Sequence, residues 1–526
     1  MSDGQTPYDR IIYPDGAYAV AHPDRAAVVA SLMGLKPPPV HTARILELGT
    51  GTGGHLIAIA SQYPQAVCVG VDYAQAQIRI ANETVEAVGL TNITFHALNF
   101  LDVPEDIGEF DYIIAHGIFS WVPEEVRQRM LDIIRRHLSP NGIAYLSYNT
   151  YPGWRTLLIS ADIMRYHTRT IEDPWKKAEA ARDIIAQMAA LPTHNVGDSD
   201  WARFMSTYHE VLGTLKDYLQ LKSDHVLLHD DLEETSRPFY YHEIVQLLAE
   251  YDLEYLADAA FPSNILTNLA PDEEQWLKSV AHTFDEMEQY LDFMRNRTFR
   301  TSLLVHNSVQ FSRSITPLPI ANFYVQSSIR RSDPQPEGLD DGVVHYQGND
   351  HIGFATADVV MIAALDTLAD FHGLHIPFRD LVRRARERAY AYAVPSTTLE
   401  EDASRIATTL LQFYGKSINM IEFFVTPPSY VATLSERPVA NKFARYQAIG
   451  HEMVTNMRQN RVQLGPNARA LISLLDGTND REALIEAMLR LTLQPEGVPE
   501  SERRQKMAEE VDRLMGQFRT SALLVG

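Results

Sequence analysis

The sequence predicts an α/β chain: a mostly parallel sheet is laid down first, a helical insertion follows, and an α-rich domain closes the C-terminal part. Three observations predict it. Between residues 44 and 147, short apolar runs alternate with helix-period segments five times, and a glycine-rich turn follows the first run. Beyond Trp154 the apolar spacing becomes helical. At 526 residues the chain exceeds what one core supports, so two or three domains are expected.

The elements follow in order. Ile45, Leu46 and Leu48 make a short strand, and Gly49-Thr50-Gly51-Thr52-Gly53-Gly54 turns out of it. Residues 55–61 read as a helix with Leu56, Ile57, Ile59 and Ala60 on its apolar side, stopped by Tyr63-Pro64. A second apolar strand, 66–71, closes on Asp72. Such a turn aims free amide N–H groups at a ligand, so a nucleotide-type ligand is expected. The spacing is Glu47-x-Gly49-x-Gly51-x-Gly53, not the G-x-G-x-x-G of dinucleotide sites, and no Lys-Ser/Thr follows to make a P-loop. Residues 93–100 form strand three and 110–115 strand four, which leads into His116-Gly117-Ile118-Phe119-Ser120-Trp121. Val122-Pro123-Glu124-Glu125 opens a helix with Pro and acids in its first turn. Ser139-Pro140-Asn141-Gly142 closes that helix, and strand five, 143–147, runs into Tyr148-Asn149-Thr150-Tyr151-Pro152-Gly153-Trp154.

The Glu47/Gly49/Gly51/Gly53 spacing, with an acid ending strand two, resembles motif I of class I S-adenosylmethionine methyltransferases. The resemblance implies a Rossmann-like methyltransferase core with S-adenosyl-L-methionine as cofactor and S-adenosyl-L-homocysteine as product. It places Glu47, Gly49, Thr50, Gly51, Gly53, Asp72, Tyr73, Asn99, Phe100 and His116 around the cofactor. Asp72 would take the ribose hydroxyls, since a carboxylate accepts two hydrogen bonds at once. Asn99 stands where the family usually has an Asp at the adenine amino group, and Phe100 lies beside the ring. Three further stretches narrow the likeness: Tyr8 to Pro23 (with Tyr13-Pro14 and His22-Pro23), the loop from Tyr148 to Trp154, and Tyr290 to His306. With the run after strand four, these resemble bacterial methyltransferases that carry a methyltransferase regulatory domain. The best understood of those relatives are protein-lysine methyltransferases.

Absences constrain the acceptor. Amino-methylating nucleic-acid enzymes commonly place N-P-P-Y after strand four, where this chain has His116-Gly117-Ile118-Phe119. Asp102 and Asp111 are more economically turn and strand residues than Mg²⁺ ligands. His225 and His229 stand at i, i+4 beside Asp230 and Asp231, but the glutamate of H-E-x-x-H is missing, so no metal is expected. For an amine acceptor, the enzyme must align a neutral nucleophile and exclude water. Phe119, Trp121, Tyr148, Tyr151 and Trp154 cluster on loops at the carboxyl ends of strands four and five, which face the ligand crevice of an open α/β sheet. Tyr148, Asn149, Tyr151, Trp154 and Trp121 are therefore the candidate acceptor contacts, and Tyr148, Tyr151 and His116 the candidate catalytic groups. His22 could reach in from the N-terminal segment. The bland alternative is that these aromatics pack the helical cap on the sheet. The leading expectation is N-methylation of lysine in a protein or peptide. One alternative is O-methylation of a peptide carboxylate or a small metabolite, for which Arg155 would supply the cation. Another is a cofactor-binding regulator without turnover.

The expected domains are a cofactor core (1–154), a region of helical insertion and last core strands (155–310), and a C-terminal domain (340–526) beyond a polar linker at 331–338. In the middle region, 157–168, 175–191, 201–219 and 239–250 read as helices, with strands at 253–257 and 300–305. A wholly separate middle domain would leave Leu303 to Val305 unpaired with strand five. In the last domain, 356–371, 378–393 and 399–414 are helical, and the strand–helix–turn–helix pattern after Arg461 resembles winged-helix modules. Such a module could hold a peptide substrate or make a homodimer. The formal charge of −22 (46 Lys+Arg, 68 Asp+Glu) shows no basic stripe, so no nucleic-acid partner is expected. The single cysteine, Cys68, excludes a disulfide framework. The first ten residues lack the layout of a signal peptide and no run approaches a membrane span, so a cytoplasmic location is expected.

Overall fold

The computed structural model describes residues 11–526 apart from 14–15, 193–199, 234–235, 337, 339, 341, 350–351, 392–393, 432 and 493–498. Tyr8, Pro14 and Glu337 lie outside the described residues. The core is one seven-stranded sheet: β1 (Arg44–Leu48), β2 (Val67–Asp72), β3 (Ile93–Ala97), β4 (Phe110–Ala115), β5 (Leu138–Asn149), β6 (Leu253–Asp258) and β7 (Phe299–His306). Their order is β3-β2-β1-β4-β5-β7-β6. The first five strands run parallel, and β7 is antiparallel to both neighbours. Leu304 pairs with Ala144 and Leu303 with Tyr145, so the late strands belong to the same sheet.

The inner strands β1, β4 and β5 are buried on both faces, which is why they read as continuous apolar runs, while β3 at the sheet edge alternates. One face packs on α1 (Pro23–Leu32), α2 (Gly54–Gln62) and α3 (Gln75–Val88) through Ile45, Tyr112, Ile114, Tyr145 and Leu303. The other packs on α4 (Glu124–His137) through Leu46, Leu48, Ile113, Leu146 and Leu304. β5 begins at Leu138 and takes in Ser139-Pro140-Asn141-Gly142, which the sequence suggested as a helix stop. A register shift against β4 between Phe110 and Tyr112 absorbs the irregularity.

After β5 the insertion forms α5 (Trp154–Thr168), α6 (Pro174–Ala189) and α7 (Asp200–Gln220). It has its own small core of Met164, Ala178, Ala181, Ile185, Leu219 and Leu227. The chain then returns through α8 (Tyr241–Ala249) to β6, and through α9 (Phe284–Met294) to β7. The Tyr290–His306 stretch is a structural brace. Arg300 is fully buried and donates to both carboxylate oxygens of Asp292 at 2.8 Å and to Glu288 at 3.0 Å. Arg297 pairs with Asp258 at 2.7 Å. Guanidinium groups suit this task because their fork meets two oxygens at once.

The C-terminal region corrects the expected boundaries. Arg330–Arg331 is a strand paired with Tyr346 and Gln347, and the Gln335 amide clamps the backbone of His345, so 331–336 is not a free linker. The three expected helices are Val359–Asp370, Phe378–Ala389 and Leu399–Lys416. Their apolar residues, among them Leu365, Leu381 and Leu410, join the same core cluster as α1 and α2. The core therefore does not divide at residue 340. A separate cluster begins only near Ala440, built on Lys442–Gly450, the Met453–Thr455/Arg461–Gln463 hairpin and the helices Pro466–Ser473, Arg481–Leu491 and Glu500–Thr520. No helix among the described residues is long and apolar enough to cross a membrane.

Candidate active site

A cleft of about 660 Å³ opens at the carboxyl ends of β1, β2, β4 and β5. Its floor is the glycine turn. Gly49, Gly51 and Gly53 have φ of +77°, +56° and +82°, a region L side chains avoid. A Cβ on Gly53 would lie 2.6 Å from the Phe95 ring. Polar groups hold the turn: the buried Glu47 accepts from the Thr50 hydroxyl at 2.7 Å, and Gly49 N–H donates to the Val71 carbonyl at 2.8 Å. Asp72 accepts from Gly51 N–H at 2.8 Å and Ala74 N–H at 2.9 Å. Tyr73, Asn99, Phe100 and His116 join Glu47, Gly49, Thr50, Gly51 and Asp72 on the lining, while Gly53 shapes the turn from behind. The Asn99 side-chain carbonyl accepts from Leu101 N–H at 3.0 Å.

β5 assigns side chains by parity. Tyr145, Ser147 and Asn149 face the cleft side: the Tyr145 hydroxyl pairs with His116 Nδ1 at 2.9 Å, and Gly117 N–H donates to the Ser147 hydroxyl at 2.7 Å. Asn149 lines the cleft, 3% exposed, and its Nδ2 has no partner among the described residues. Tyr148 points the other way. It is 1% exposed, its hydroxyl meets Ser302 at 3.1 Å, and its ring abuts Phe239, so it cannot touch an acceptor in the cleft. Burial pushes its hydroxyl up to about 12. Tyr151 is also off the lining, packed on Tyr240 with Arg155 over its ring at 4.6 Å. Phe119 is fully buried against Phe239. Trp121 and Trp154 both line the cleft, edge to face with centroids 5.9 Å apart.

Burial lowers His116 to about 4, so the imidazole is neutral at physiological pH. The Tyr18 ring covers it at 4.0 Å. Tyr18 belongs to a strap before α1 that the sequence did not mark as a cavity wall. Its Tyr13 and Tyr18 line the cleft, and it is fastened to the end of the insertion by His225 Nδ1 on the Ile12 carbonyl (3.0 Å) and His229 Nε2 on the Ile11 carbonyl (2.8 Å). Both histidines tie the strap to the insertion. His22 caps α1 by accepting from Asp24 N–H and meets Gln62 at 3.2 Å, away from the cleft. Other lining residues the sequence did not single out are Gln77, His55, Phe299, Tyr218 and Lys222, and Asp230, named beside the histidine pair, lines the cleft as well.

The residues fit a nucleoside with a charged tail: a backbone-lined trough, an acid at the end of β2, and the buried Gln77 Oε1, without a partner among the described residues, 3.0 Å from where a Gly51 Cβ would stand. Family models match a methyltransferase domain at residues 45–142, a predicted methyltransferase regulatory domain at 223–306 and the C-terminal winged helix domain of PKMT at 436–523. An uncharacterized protein of Rickettsia prowazekii (strain Madrid E) is 34% identical over 537 residues, covering 99% of this chain and 94% of that protein. The chain belongs to the class I S-adenosylmethionine-dependent methyltransferases that carry a regulatory domain. Among solved structures, PKMT2 from Rickettsia typhi, alone and in complex with AdoHcy, matches this methyltransferase with a TM-score of 0.83 and 25% identity. It covers 98% of this chain and 100% of that one. The enzyme's cofactor is S-adenosylmethionine.

Proposed function

We propose that this methyltransferase acts on the side-chain amine of lysine in a protein or peptide. The observation that carries the reading is the wall of the cleft beyond the glycine turn: Tyr13, Tyr18, Trp121, Trp154 and Tyr218. Aromatic faces attract an alkylammonium and, being dry, lower its pKa toward the neutral amine that must attack. A carboxylate acceptor would want an unpaired cation. Arg155 is exposed and lies on Tyr151 outside the cleft, and the lysine on the lining, Lys222, is held by Asp231 at 2.7 Å. The likeness to PKMT2 over the whole chain supports the same reading.

When bound, S-adenosylmethionine supplies an electrophilic methyl group on a sulfonium. This chain's residues do the rest. Asp72 takes the ribose hydroxyls while keeping the Gly51 and Ala74 amides, and Asn99 and Phe100 receive the adenine. His116, kept uncharged by burial, adds no repulsion beside the sulfonium and the incoming amine. The winged-helix end of the chain presents the protein partner, and the acidic surface favours a basic one. This is a cytoplasmic reaction.

The test is transfer of label from methyl-labelled S-adenosylmethionine into a bacterial lysate. Base-stable label in discrete protein bands, mapped to lysine by mass spectrometry, is expected. Base-labile or low-mass label would overturn the lysine reading in favour of a carboxyl or metabolite acceptor.

A further inference from the structure

Hairpin tips ordinarily face solvent, because a buried loop carries polar backbone that packing cannot satisfy. The tip of the hairpin near the C-terminus is instead spent inside the molecule. Between Met453–Thr455 and Arg461–Gln463 the chain folds on Asn456. The Asn456 side-chain carbonyl accepts from the Arg458 and Asn460 amides at 2.9 Å, and its amide donates to the Ser521 carbonyl at 2.9 Å. Met457 is 4% exposed and Gln459 1%, the latter at a φ of +60°, which few residues with a side chain adopt. The tip meets the cofactor core from behind. Met457 and Arg458 wall a cavity of about 20 Å³ together with His22, Gln62 and Ala19, the residue after Tyr18 in the strap. Close by, the Asn441 amide donates to the Ser61 hydroxyl at 3.0 Å, and the Ser429 hydroxyl to the Gln62 carbonyl at 3.2 Å.

His55 is where this hairpin reaches the cleft. It stands in the first turn of α2, is buried, and lines the cleft. Tyr18 N–H donates to its Nδ1 at 3.2 Å, and the Tyr18 ring, edge to face with His55, covers His116 at 4.0 Å. Burial holds His55 near 3, so the ring is neutral at physiological pH. A neutral imidazole that accepts at Nδ1 carries its proton on Nε2, and a buried N–H needs an acceptor. No described residue meets Nε2 in full hydrogen-bond geometry. Two groups bear on the ring as hydrogen-bond acceptors: the Ala21 carbonyl, on the strap side, and the Gln459 side chain, from the hairpin tip. The Gln459 amide is an orphan of the matching kind, since neither its oxygen nor its nitrogen has a partner in that geometry among the described residues. A buried donor and a buried acceptor, both unmet, thus stand at one ring, and a small turn of the amide joins them.

We propose that Gln459 is a positioning residue for the cofactor site: its side-chain oxygen accepts from His55 Nε2–H and so fixes the ring whose Nδ1 holds Tyr18 over His116. The winged-helix end of the chain thereby supports the wall of the cleft, whichever acceptor the enzyme methylates.

The experiment is a double-mutant cycle on the full chain, with Q459M, Y18A and the two combined. Methionine keeps the length of glutamine and removes the strong acceptor. Calorimetric affinity for S-adenosylhomocysteine is read throughout. Q459M should weaken it about 3- to 10-fold, the loss of one buried hydrogen bond. Y18A should weaken it by a similar factor, about 3- to 10-fold, for the lost ring contact. Because Gln459 acts through Tyr18, the combined variant should bind within about twofold of Y18A alone. A Q459M loss of equal size in both backgrounds would mean a general loosening of the fold and overturns the proposal. An unchanged affinity in Q459M, or in Y18A, overturns it as well. Should Q459M fail to fold, Gln459→Asn takes its place in the same cycle, since it keeps the amide and draws it back by one methylene. The same outcomes then decide.

Discussion

Gly153 is the position where a single methyl group should do most damage to the acceptor wall. It caps α5 in ordinary helical conformation, so its backbone angles would suit alanine. The obstacle is contact. A Cβ there would lie 2.1 Å from the Asn296 carbonyl oxygen and 2.5 Å from the Arg297 carbonyl carbon. Both are main-chain atoms, and ordinary contact would require a retreat of roughly 1 Å or more. The 296–297 backbone is not free to retreat, because Arg297 is tied to Asp258 and Gly153 N–H itself donates to the Arg297 carbonyl at 2.9 Å. Overpacking against a fixed backbone costs about 1–3 kcal/mol, and losing the amide hydrogen bond about 1 kcal/mol more. Gly153→Ala should therefore destabilise the core by about 2–4 kcal/mol. Gly89→Ala is the comparison: its φ is +73° but nothing lies within 4 Å, so only the conformational cost of about 1 kcal/mol applies. Urea unfolding followed by tryptophan fluorescence reads both, since Trp154 follows Gly153 directly. A Gly153→Ala midpoint no lower than that of Gly89→Ala would refute the contact argument.

Asp72→Ala removes the acceptor of the Gly51 and Ala74 amides together with the carboxylate assigned to the ribose. Calorimetric affinity for S-adenosylhomocysteine should fall about 10- to 100-fold, and an unchanged affinity would reject that placement. Acid should destabilise the fold as well. Burial holds His22, His55 and His116 near 4, 3 and 4, against 6.5 when unfolded. The unfolded chain then binds protons that the native state refuses, so stability falls as pH drops from about 6.5 toward 4, by up to about 3 kcal/mol per histidine. Asp24, raised by burial to about 6, works with the opposite sign between its unfolded value of 3.8 and 6 and offsets part of this. A urea midpoint that does not move between pH 7 and 5 would refute the net effect.

The inner strands were legible because β1, β4 and β5 are buried on both faces and so read as apolar runs. The glycine turn was legible because positive φ at three alternate positions leaves glycine as the default. Tyr148 was misplaced for a reason of parity. The apolar run suggests that β5 stops at Ser147, whereas the strand continues through Asn149, and alternation turns Tyr148 into the core and Asn149 into the cleft. Gln77 was hidden on the apolar side of α3, where a polar residue leaves no periodic signal. Lys222 and Asp230 could not be placed, because no local pattern says where a helical insertion folds back. The i, i+4 spacing of His225 and His229 carries no signal that both rings hold the carbonyls of Ile11 and Ile12. The linker expected at 331–338 shows that a Pro/Gly composition signals turns without excluding the backbone pairing that Arg331 makes with Tyr346.

The strap before α1 has a consequence for how the enzyme comes into being. The Ile12 carbonyl and the His225 ring that holds it are 213 residues apart in the chain. A nascent chain that has emerged as far as Trp154 already carries the glycine turn, all five parallel strands and the Tyr18 N–H bond to His55 Nδ1, yet neither of the histidines that fasten Ile11 and Ile12. The strap's first residues are secured only after the insertion has been synthesised and has folded back, a closure of high contact order and correspondingly slow. Cofactor retention is thus acquired late and as a property of the whole polypeptide.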